Sequence, residues 1–153
     1  MKTYSLSATR VLEVRDTEDS VVIIRDLQNP AEALFSKHRW AAFLCWFEDI
    51  DEEVKKLKEK KAEVPYCQHY GGGWKVSVTP DIWCVDLRRF YLNDNGEEKP
   101  TRHGIGLRLY EWEMLKNIVD RLGDDHPDLR KHNTCKHDNV DQWLDCHECM
   151  PFI

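Results

Sequence analysis

The stretch from residue 85 to residue 122, VDLRRFYLNDNGEEKPTRHGIGLRLYEWEMLKNIVDRL, decides the fold. It predicts two strands, Trp83–Tyr91 and Lys99–Leu107, joined by a hairpin turn at Asn93–Gly96, because Asn and Gly tolerate the positive φ angles of tight turns. The helix Tyr110–Leu122 follows, with its apolar side chains three and four positions apart. The stretch therefore predicts an antiparallel hairpin followed by an amphipathic helix.

The first half of the chain shows the same order of elements in shorter form. Val11–Asp16 and Val21–Asp26 predict a strand hairpin, and Ser36 is a candidate N-cap for a helix that buries Trp40. Trp40 lies 72 positions before Trp112, near the start of the corresponding helix. This pattern predicts an internal repeat whose second copy is about eight residues longer.

A further strand at Trp74–Val78 completes the pattern of the second half, and the break between the two halves falls at Pro65 and the glycine run Gly71–Gly73. Aligning Ile23–Asp26 with Val85–Arg88 gives the correspondence between the copies. We expect an α+β chain of two repeats, each a β-meander followed by an amphipathic helix, packed as a pseudo-dimer because one strand pair and one helix bury their apolar faces poorly alone. The predicted divisions are 1–63 (a degenerate repeat), 64–125 (a full repeat) and 126–153 (a tail containing Cys and His).

Composition excludes several classes of protein. The 153 residues carry a net charge of −6, with 41% hydrophobic residues and a mean hydropathy of −0.65. The longest apolar run outside a helix, Val21–Ile24, is far too short to span a bilayer. The acidic excess argues against a protein that coats duplex DNA, since such proteins are usually basic. With no apolar leader at the N-terminus, the six cysteines predict reduced thiols and an intracellular protein.

No catalytic constellation is recognisable in the sequence. The seven histidines have no Ser or Cys nucleophile at a known spacing, and Gly71–Gly73 precedes a strand rather than opening a helix, so we interpret it as a linker and not as a phosphate-binding loop. We therefore expect a protein that is not an enzyme.

The second half resembles the C-terminal domain of the transcriptional coactivator called positive cofactor four. The resemblance rests on DLRRFY at residues 86–91, NGE at 95–97, KPTRHGIGL at 99–107, and the pair Trp112 and Leu115. It implies a four-stranded antiparallel sheet and a long helix, with two such units paired through their helices and binding single-stranded or unwound DNA. Homodimerisation through the second repeat is the alternative to an intramolecular pair.

The resemblance also implies which residues bind DNA. Arg88, Lys99 and Arg102 occupy positions that contact the nucleic-acid backbone, and Tyr91 takes the place of the family's stacking Trp. The full candidate set comprises Lys75, Arg88, Arg89, Tyr91, Lys99 and Arg102. Such residues suit the task because cations neutralise phosphates and an aromatic face stacks on any base.

Two departures from the family's sequence pattern favour an alternative function. Thr101 and His103 replace a Gly and a Lys of the family's basic loop, and the first repeat lacks that loop. A module of the same fold that has lost DNA binding and contacts transcription proteins instead is therefore the alternative function.

The tail contains a candidate metal site. Cys146 and Cys149 have the spacing of two ligands on one ion, and Cys135 and His137 complete a tetrahedral zinc set. Other side chains are alternative ligands for this ion, namely His132, His147, His126 and Cys67. The alternatives to a metal site are a disulfide between two of the cysteines, or unpaired thiols. A structural zinc is the one cofactor that the sequence suggests.

Overall fold

A computed structural model describes residues 2–15 and 21–130. It contains eight strands, which are β1 (Lys2–Ser5), β2 (Arg10–Val14), β3 (Val22–Asp26), β4 (Glu32–Phe35), β5 (Tyr66–Gly71), β6 (Trp74–Val78), β7 (Cys84–Leu92) and β8 (Glu98–Arg108). The helices are α1 (Lys37–Cys45), α2 (Phe47–Lys58) and α3 (Leu109–Asp125), followed by a short 3₁₀ turn at Pro127–Leu129.

The strands form two antiparallel sheets in simple sequential order, β1-β2-β3-β4 and β5-β6-β7-β8. Each sheet is followed directly by helix, so the chain consists of a first unit (β1 to α2) and a second unit (β5 to α3). The predicted α+β class with two meander-and-helix units is confirmed. Strands β1, β4 and β5 were not predicted, and the first unit has a complete four-stranded sheet rather than a single hairpin.

Strand register corrects the correspondence between the two units. Val22 pairs with Phe35, 13 positions later, whereas Val85 pairs with Leu107, 22 positions later. The second hairpin is therefore longer by nine residues, close to the predicted eight. Phe35 and Leu107 each lie five positions before the buried tryptophan of their unit, so their strand partners Val22 and Val85 correspond. Arg25 then corresponds to Arg88, which moves the predicted alignment by one residue.

After Ser36 the chain forms two helices, α1 and α2, with a break at Trp46. Ser36 is the N-cap, as predicted, and its Oγ accepts the backbone N–H of Arg39 at 3.2 Å. At Trp46 the backbone N–H bonds to the carbonyl of Phe43, three residues back, so the α-helical pattern is interrupted. The interruption turns the chain while Trp46 itself stays buried.

The glycine run is a turn rather than the predicted linker. Gly71, Gly72 and Gly73 all have positive φ angles and connect β5 to β6 in a tight hairpin. The connection between the units is instead the segment 59–65, which contains the predicted boundary between residues 63 and 64. The division into separate domains stays a prediction, as does the tail, of which residues 131–153 lie outside the described part.

One hydrophobic core serves both units. Phe35 and Phe43 of the first unit contact Tyr70 of the second, with ring centroids 5.2 and 5.4 Å apart. Trp40 packs against the same two phenylalanines at 5.1 and 5.6 Å. Trp112, like Trp40, is fully buried, and the indole N–H of Trp40 donates to the carbonyl of Leu129 at 3.2 Å. These contacts arrange the two units as the predicted pseudo-dimer.

Polar contacts also connect the helices across the units. Asp51 of α2 accepts hydrogen bonds from the indole of Trp112 (3.2 Å) and the ammonium of Lys116 (2.8 Å) on α3. In the described part of the chain, no helix is both long enough and apolar enough to cross a membrane.

Candidate nucleic-acid interface

The candidate site lies on the long hairpin, which we define as β7, β8 and the turn between them. Strand β6 pairs with β7 only as far as Arg89. Just beyond it, the carbonyl of Gly73 accepts a hydrogen bond from the N–H of Phe90. The rest of β7 pairs with β8 alone and forms the distal part of the hairpin. At the turn, Asn93 Oδ1 accepts the backbone N–H groups of Asn95 and Glu97 at 3.0 and 2.9 Å, which confirms the predicted turn.

A bulge in β8 shapes the middle of this hairpin. Arg88 pairs with Gly104 and Phe90 pairs with Pro100, so three residues of β8 lie opposite Arg89 alone. The hydroxyl of Thr101 donates to the carbonyl of Arg89 at 2.6 Å and accepts the N–H of His103 at 3.1 Å. The bulge leaves Arg102 and His103 exposed at the hairpin surface.

Arg88, one of the candidates from the sequence, is held mainly by a carboxylate of its own strand. Its Nε and Nη2 donate to the two carboxylate oxygens of Asp86, both at 3.0 Å, and its Nη1 donates to the carbonyl of Thr101 at 3.1 Å. The hydrogen bond to Asp86 raises the pKa of Arg88 further. Arg88 therefore supports the bulge, and its charge is offset by a carboxylate.

Lys75 is neutralised in a similar way. Its ammonium pairs with Glu98, and the two side chains are only 16% and 19% exposed. It also lies 5.1 Å from the centroid of the Phe90 ring. Burial lowers the pKa of Lys75. Lys75 and Arg88 lie on the same face of the second sheet, where both are already paired with acids.

The remaining candidates occupy different positions on the hairpin. Side chains alternate along β7, so Arg89 and Tyr91 point to the face opposite Arg88, and Tyr91 lies directly across from Lys99. Tyr91 is 48% exposed. Lys99 has only a loose pair with Glu97, at 3.6 Å between two exposed side chains. Within the described residues, Arg89 and Arg102 form no ion pair.

The structure thus divides the six predicted residues into two groups. Two are engaged in internal ion pairs, and the other four lie at or beyond the bulge of the long hairpin: Tyr91, Lys99 and Arg102 are exposed, and Arg89 is half-buried. The sequence analysis did not identify the carboxylates that pair with Arg88 and Lys75. Asp86, the partner of Arg88, was detectable because residues two apart on a strand share a face. Glu98, the partner of Lys75, lies on β8, whereas Lys75 lies on β6.

The first unit contains an arginine–carboxylate contact like that of Arg88 with Asp86, but it lacks the long hairpin. Glu13 is buried and accepts hydrogen bonds from Arg25 and Arg15. Burial raises the pKa of Glu13, but those two guanidinium groups outweigh it and hold the pKa below its ordinary value. Arg25 occupies the register position of Arg88, so each unit sets an arginine against a carboxylate at this point. The shorter first hairpin has no counterpart of the distal segment.

The metal candidates lie almost wholly outside the described residues. Cys135, His137, Cys146 and Cys149 all belong to the undescribed segment 131–153. Of the competing ligands, Cys67 is an exposed free thiol on β5 and His126 caps the C-terminal end of α3. Among residues 2–15 and 21–130, no group of His, Cys, Asp and Glu side chains is arranged to hold a metal ion.

The architecture is that of an α+β protein in which two sheet-and-helix units share a core and one of them extends a long, partly basic hairpin. Residues 81–118 match the sequence model of the family described as Transcriptional Coactivator p15 (PC4). The match covers β7, β8 and the first part of α3, and it confirms the resemblance found in the sequence. No solved structure matches the chain.

Proposed function

We propose that this protein binds single-stranded or unwound DNA through the distal part of the long hairpin, as a transcriptional-coactivator-like protein. The observation that carries the proposal is the exposure of Tyr91, Lys99 and Arg102, with the half-buried Arg89 beside them, on a hairpin within the segment that matches the coactivator family. Exposed cations can neutralise phosphates, and the Tyr91 ring offers a face on which any base can stack.

A protein-interaction module without DNA binding is the second candidate. It is favoured by the internal pairing of Lys75 and Arg88 and by the net charge of −6. Under either candidate the role is binding rather than catalysis, and in a eukaryotic cell we propose that it takes place in the nucleus. Transcription proteins are then the expected protein partners.

We also propose that the chain is an internal duplication that acts as its own dimer partner. The buried aromatic cluster and the bonds from Asp51 to α3 connect the units within one chain. Because only the second unit has the long hairpin, one chain would offer one basic hairpin to nucleic acid. A homodimer would instead present two basic hairpins.

Fluorescence anisotropy with a labelled 20-nucleotide dT strand and a matched duplex, at low and moderate salt, tests the DNA-binding proposal. The informative variant is Arg89→Glu with Arg102→Glu, because neither side chain supports the fold through an ion pair among the described residues. We expect it to weaken single-strand binding at least about ten-fold and to lower the slope of log affinity against log salt by about 1.4, or roughly 0.7 for each phosphate contact.

The matched control is Lys37→Glu with Lys56→Glu, which makes the same change in net charge on the helices of the first unit. It should leave single-strand binding nearly unchanged. Equal losses in the two double variants would refute a hairpin site, and an absence of binding to both DNAs by the unaltered protein would support the interaction module instead.

We further propose a structural zinc held by Cys135, His137, Cys146 and Cys149. The proposal rests on ligand type and spacing in the sequence. The metal content of the purified protein, compared with that of the Cys146→Ser, Cys149→Ser variant, tests it directly. About one zinc per chain, lost in the variant, is the expected result.

A further inference from the structure

A groove of about 680 Å³ lies between α3 and β1, the edge strand of the first sheet. All four residues of β1 line it, together with Met114, Arg121, Asp124 and Asp125 of α3. Strand β1 pairs with β2 on one side only, and three of its four residues are exposed. The groove therefore contains an open backbone edge of a sheet.

The register of the sheet shows which backbone groups of β1 are open. The N–H of Leu6 donates to the carbonyl of Arg10 on β2 at 2.9 Å, and hydrogen-bonded pairs alternate with non-bonded pairs along an antiparallel ladder. Tyr4 is therefore the next residue of β1 that bonds to β2. The N–H and C=O groups of Thr3 and Ser5 point the other way, into the groove, and no described residue bonds to them.

The other sheet edges have neighbours or another proposed role. Strand β4 lies against β8 between the units, where Arg10 Nη1 donates to the carbonyl of Gly106. Helix α1 packs against β5, and the side chain of Arg39 lies against Gly71 and Gly72. The distal part of β8 belongs to the proposed nucleic-acid site. Within the described residues, β1 is thus the edge that remains for a further strand.

The groove does not select its occupant by charge. Lys2 and Arg121 supply two cations, and Asp124 and Asp125 supply two anions, so the charges of the lining side chains cancel. Lys2 is already paired with Asp125 at 2.8 Å. What the groove offers is the open backbone of β1 and an apolar side chain on α3, Met114, which is 40% exposed. An extended segment with apolar side chains on one face matches both features.

The described part of the chain ends beside this groove. The guanidinium of Arg130 donates to the carbonyl of Gly123 at 2.9 Å and to the carboxylate of Asp124 at 3.3 Å. Asp124 lines the groove, and its neighbour Asp125 accepts a hydrogen bond from the hydroxyl of Tyr4 on β1 at 2.6 Å. The chain therefore continues beyond Arg130 from a point next to the open edge.

The chain beyond Arg130 contains two stretches rich in apolar residues, and both lie outside the described residues. Met150–Ile153 includes Pro151, which lacks the N–H that a strand ladder requires. Val140–Leu144 has no proline. It begins ten positions after Arg130, and a chain of that length extends up to about 33 Å, which is enough to return to β1. Val140–Leu144 is therefore the stretch that suits the open edge.

We propose that Val140–Leu144 pairs with β1 of the same chain as a fifth strand of the first sheet. Its backbone bonds to Thr3 and Ser5, and the side chains of its first and last residues, which share a face, lie against Met114. Because the segment belongs to the same chain, it meets the groove at an effective concentration on the order of 1 mM, well above that of a second copy in dilute solution. The added strand closes an edge that would otherwise be open to pairing with other chains.

Amide hydrogen exchange of the full chain, followed by proton–nitrogen NMR, tests this pairing. We expect the amides of Thr3 and Ser5 to be protected, and to the same extent when the protein is diluted about ten-fold, because the pairing is intramolecular. The variant Val140→Asp, Leu144→Asp places charges against Met114 and should speed exchange at both amides at least about ten-fold.

The matched control is Asn133→Asp with Asn139→Asp, which makes the same change in net charge outside the segment. It should leave both amides as protected as in the unaltered protein. Thr3→Pro removes an N–H that the pairing with β2 does not use, so the sheet should remain folded while the Ser5 amide loses its protection.

The inference does not rest on the proposed DNA binding, because β1 belongs to the first unit and the long hairpin to the second. Rapid exchange of Thr3 and Ser5 in the unaltered protein would overturn it. Protection that rises with protein concentration would assign the edge to a second copy instead, and equal protection in the Val140→Asp, Leu144→Asp variant would exclude this segment.

Discussion

Glu111 shows how much one residue contributes to the joining of the two units. Its carboxylate is fully buried at the start of α3, where it accepts hydrogen bonds from the Ser7 hydroxyl (2.7 Å), Arg10 Nη1 (3.1 Å) and the Arg108 N–H (2.9 Å). Ser7 and Arg10 belong to the first unit. We expect Glu111→Gln to lower the free energy of unfolding by about 3 kcal/mol, because it leaves buried donors without a charged acceptor.

Glu113, two residues further along the same helix, is the control for this substitution. It is partly exposed and pairs with Lys58 and Lys116. Glu113→Gln should cost less than about 1 kcal/mol in urea unfolding, since exposed ion pairs contribute little. Similar losses in the two variants would show that Glu111 does not hold the units together.

Single residues also mark the limit of what the sequence could predict about the site. The sequence identifies the cations of the candidate interface but not which of them are free. Arg88 has its acid two positions away on the same strand, whereas Lys75 finds Glu98 only because β7 and β8 bring it there. A partner distant in the chain is fixed by tertiary structure, so composition and spacing do not reveal it.

The long hairpin depends on one close approach between its strands. A Cβ on Gly104 would lie 2.5 Å from the carbonyl oxygen of Leu87 and 2.9 Å from Cα of Arg88, both backbone atoms that cannot move aside cheaply. We expect Gly104→Ala to lower the free energy of unfolding by about 2 kcal/mol, within the range for overpacking. Under the proposed function it should also weaken single-strand binding, because the bulge that presents Arg102 is displaced.

Gly106, on the same strand, provides the comparison. A Cβ there would meet the Cys84 sulfur at 3.5 Å, an ordinary contact. Urea unfolding and oligo-dT anisotropy of Gly106→Ala should therefore resemble those of the unaltered protein. If Gly104→Ala were as stable as Gly106→Ala, the bulge would not rest on this close approach.

Elements were predictable where the local signal was strong. The strand β7, the turn at Asn93 and the helix α3 follow from alternation, turn chemistry and helical spacing, and all three were found. The predicted end of the helix was wrong, because α3 continues past Leu122 and through Gly123 to Asp125. Strands β1 and β4 have four residues each, too few to show a clear period. The turn at Gly71 was misjudged because a glycine run permits both a linker and a tight hairpin, and only the pairing of β5 with β6 decides between them.

At the scale of the whole molecule, carboxylates that connect distant elements should make the protein sensitive to acid. Asp51 is typical: burial raises its pKa, but hydrogen bonds from Lys116 and Trp112 and the nearby ammonium charges lower it below the ordinary 3.8. Other carboxylates also have lowered pKa values, and these are Glu13, Asp26, Glu113 and Asp125.

The direction of the pH effect follows from these shifts. A carboxylate with a lowered pKa in the folded state stays ionised after its unfolded counterpart has bound a proton, so its contribution is complete above the ordinary pKa and is lost as pH falls through the folded value. The free energy of unfolding in urea should therefore fall steadily below about pH 4. Asp51→Asn should be less stable than the unaltered protein at pH 7 and should lose less stability on acidification, because it lacks one of the linked groups. Parallel pH profiles for the two proteins would contradict the assignment of Asp51 as an ionised connection between α2 and α3.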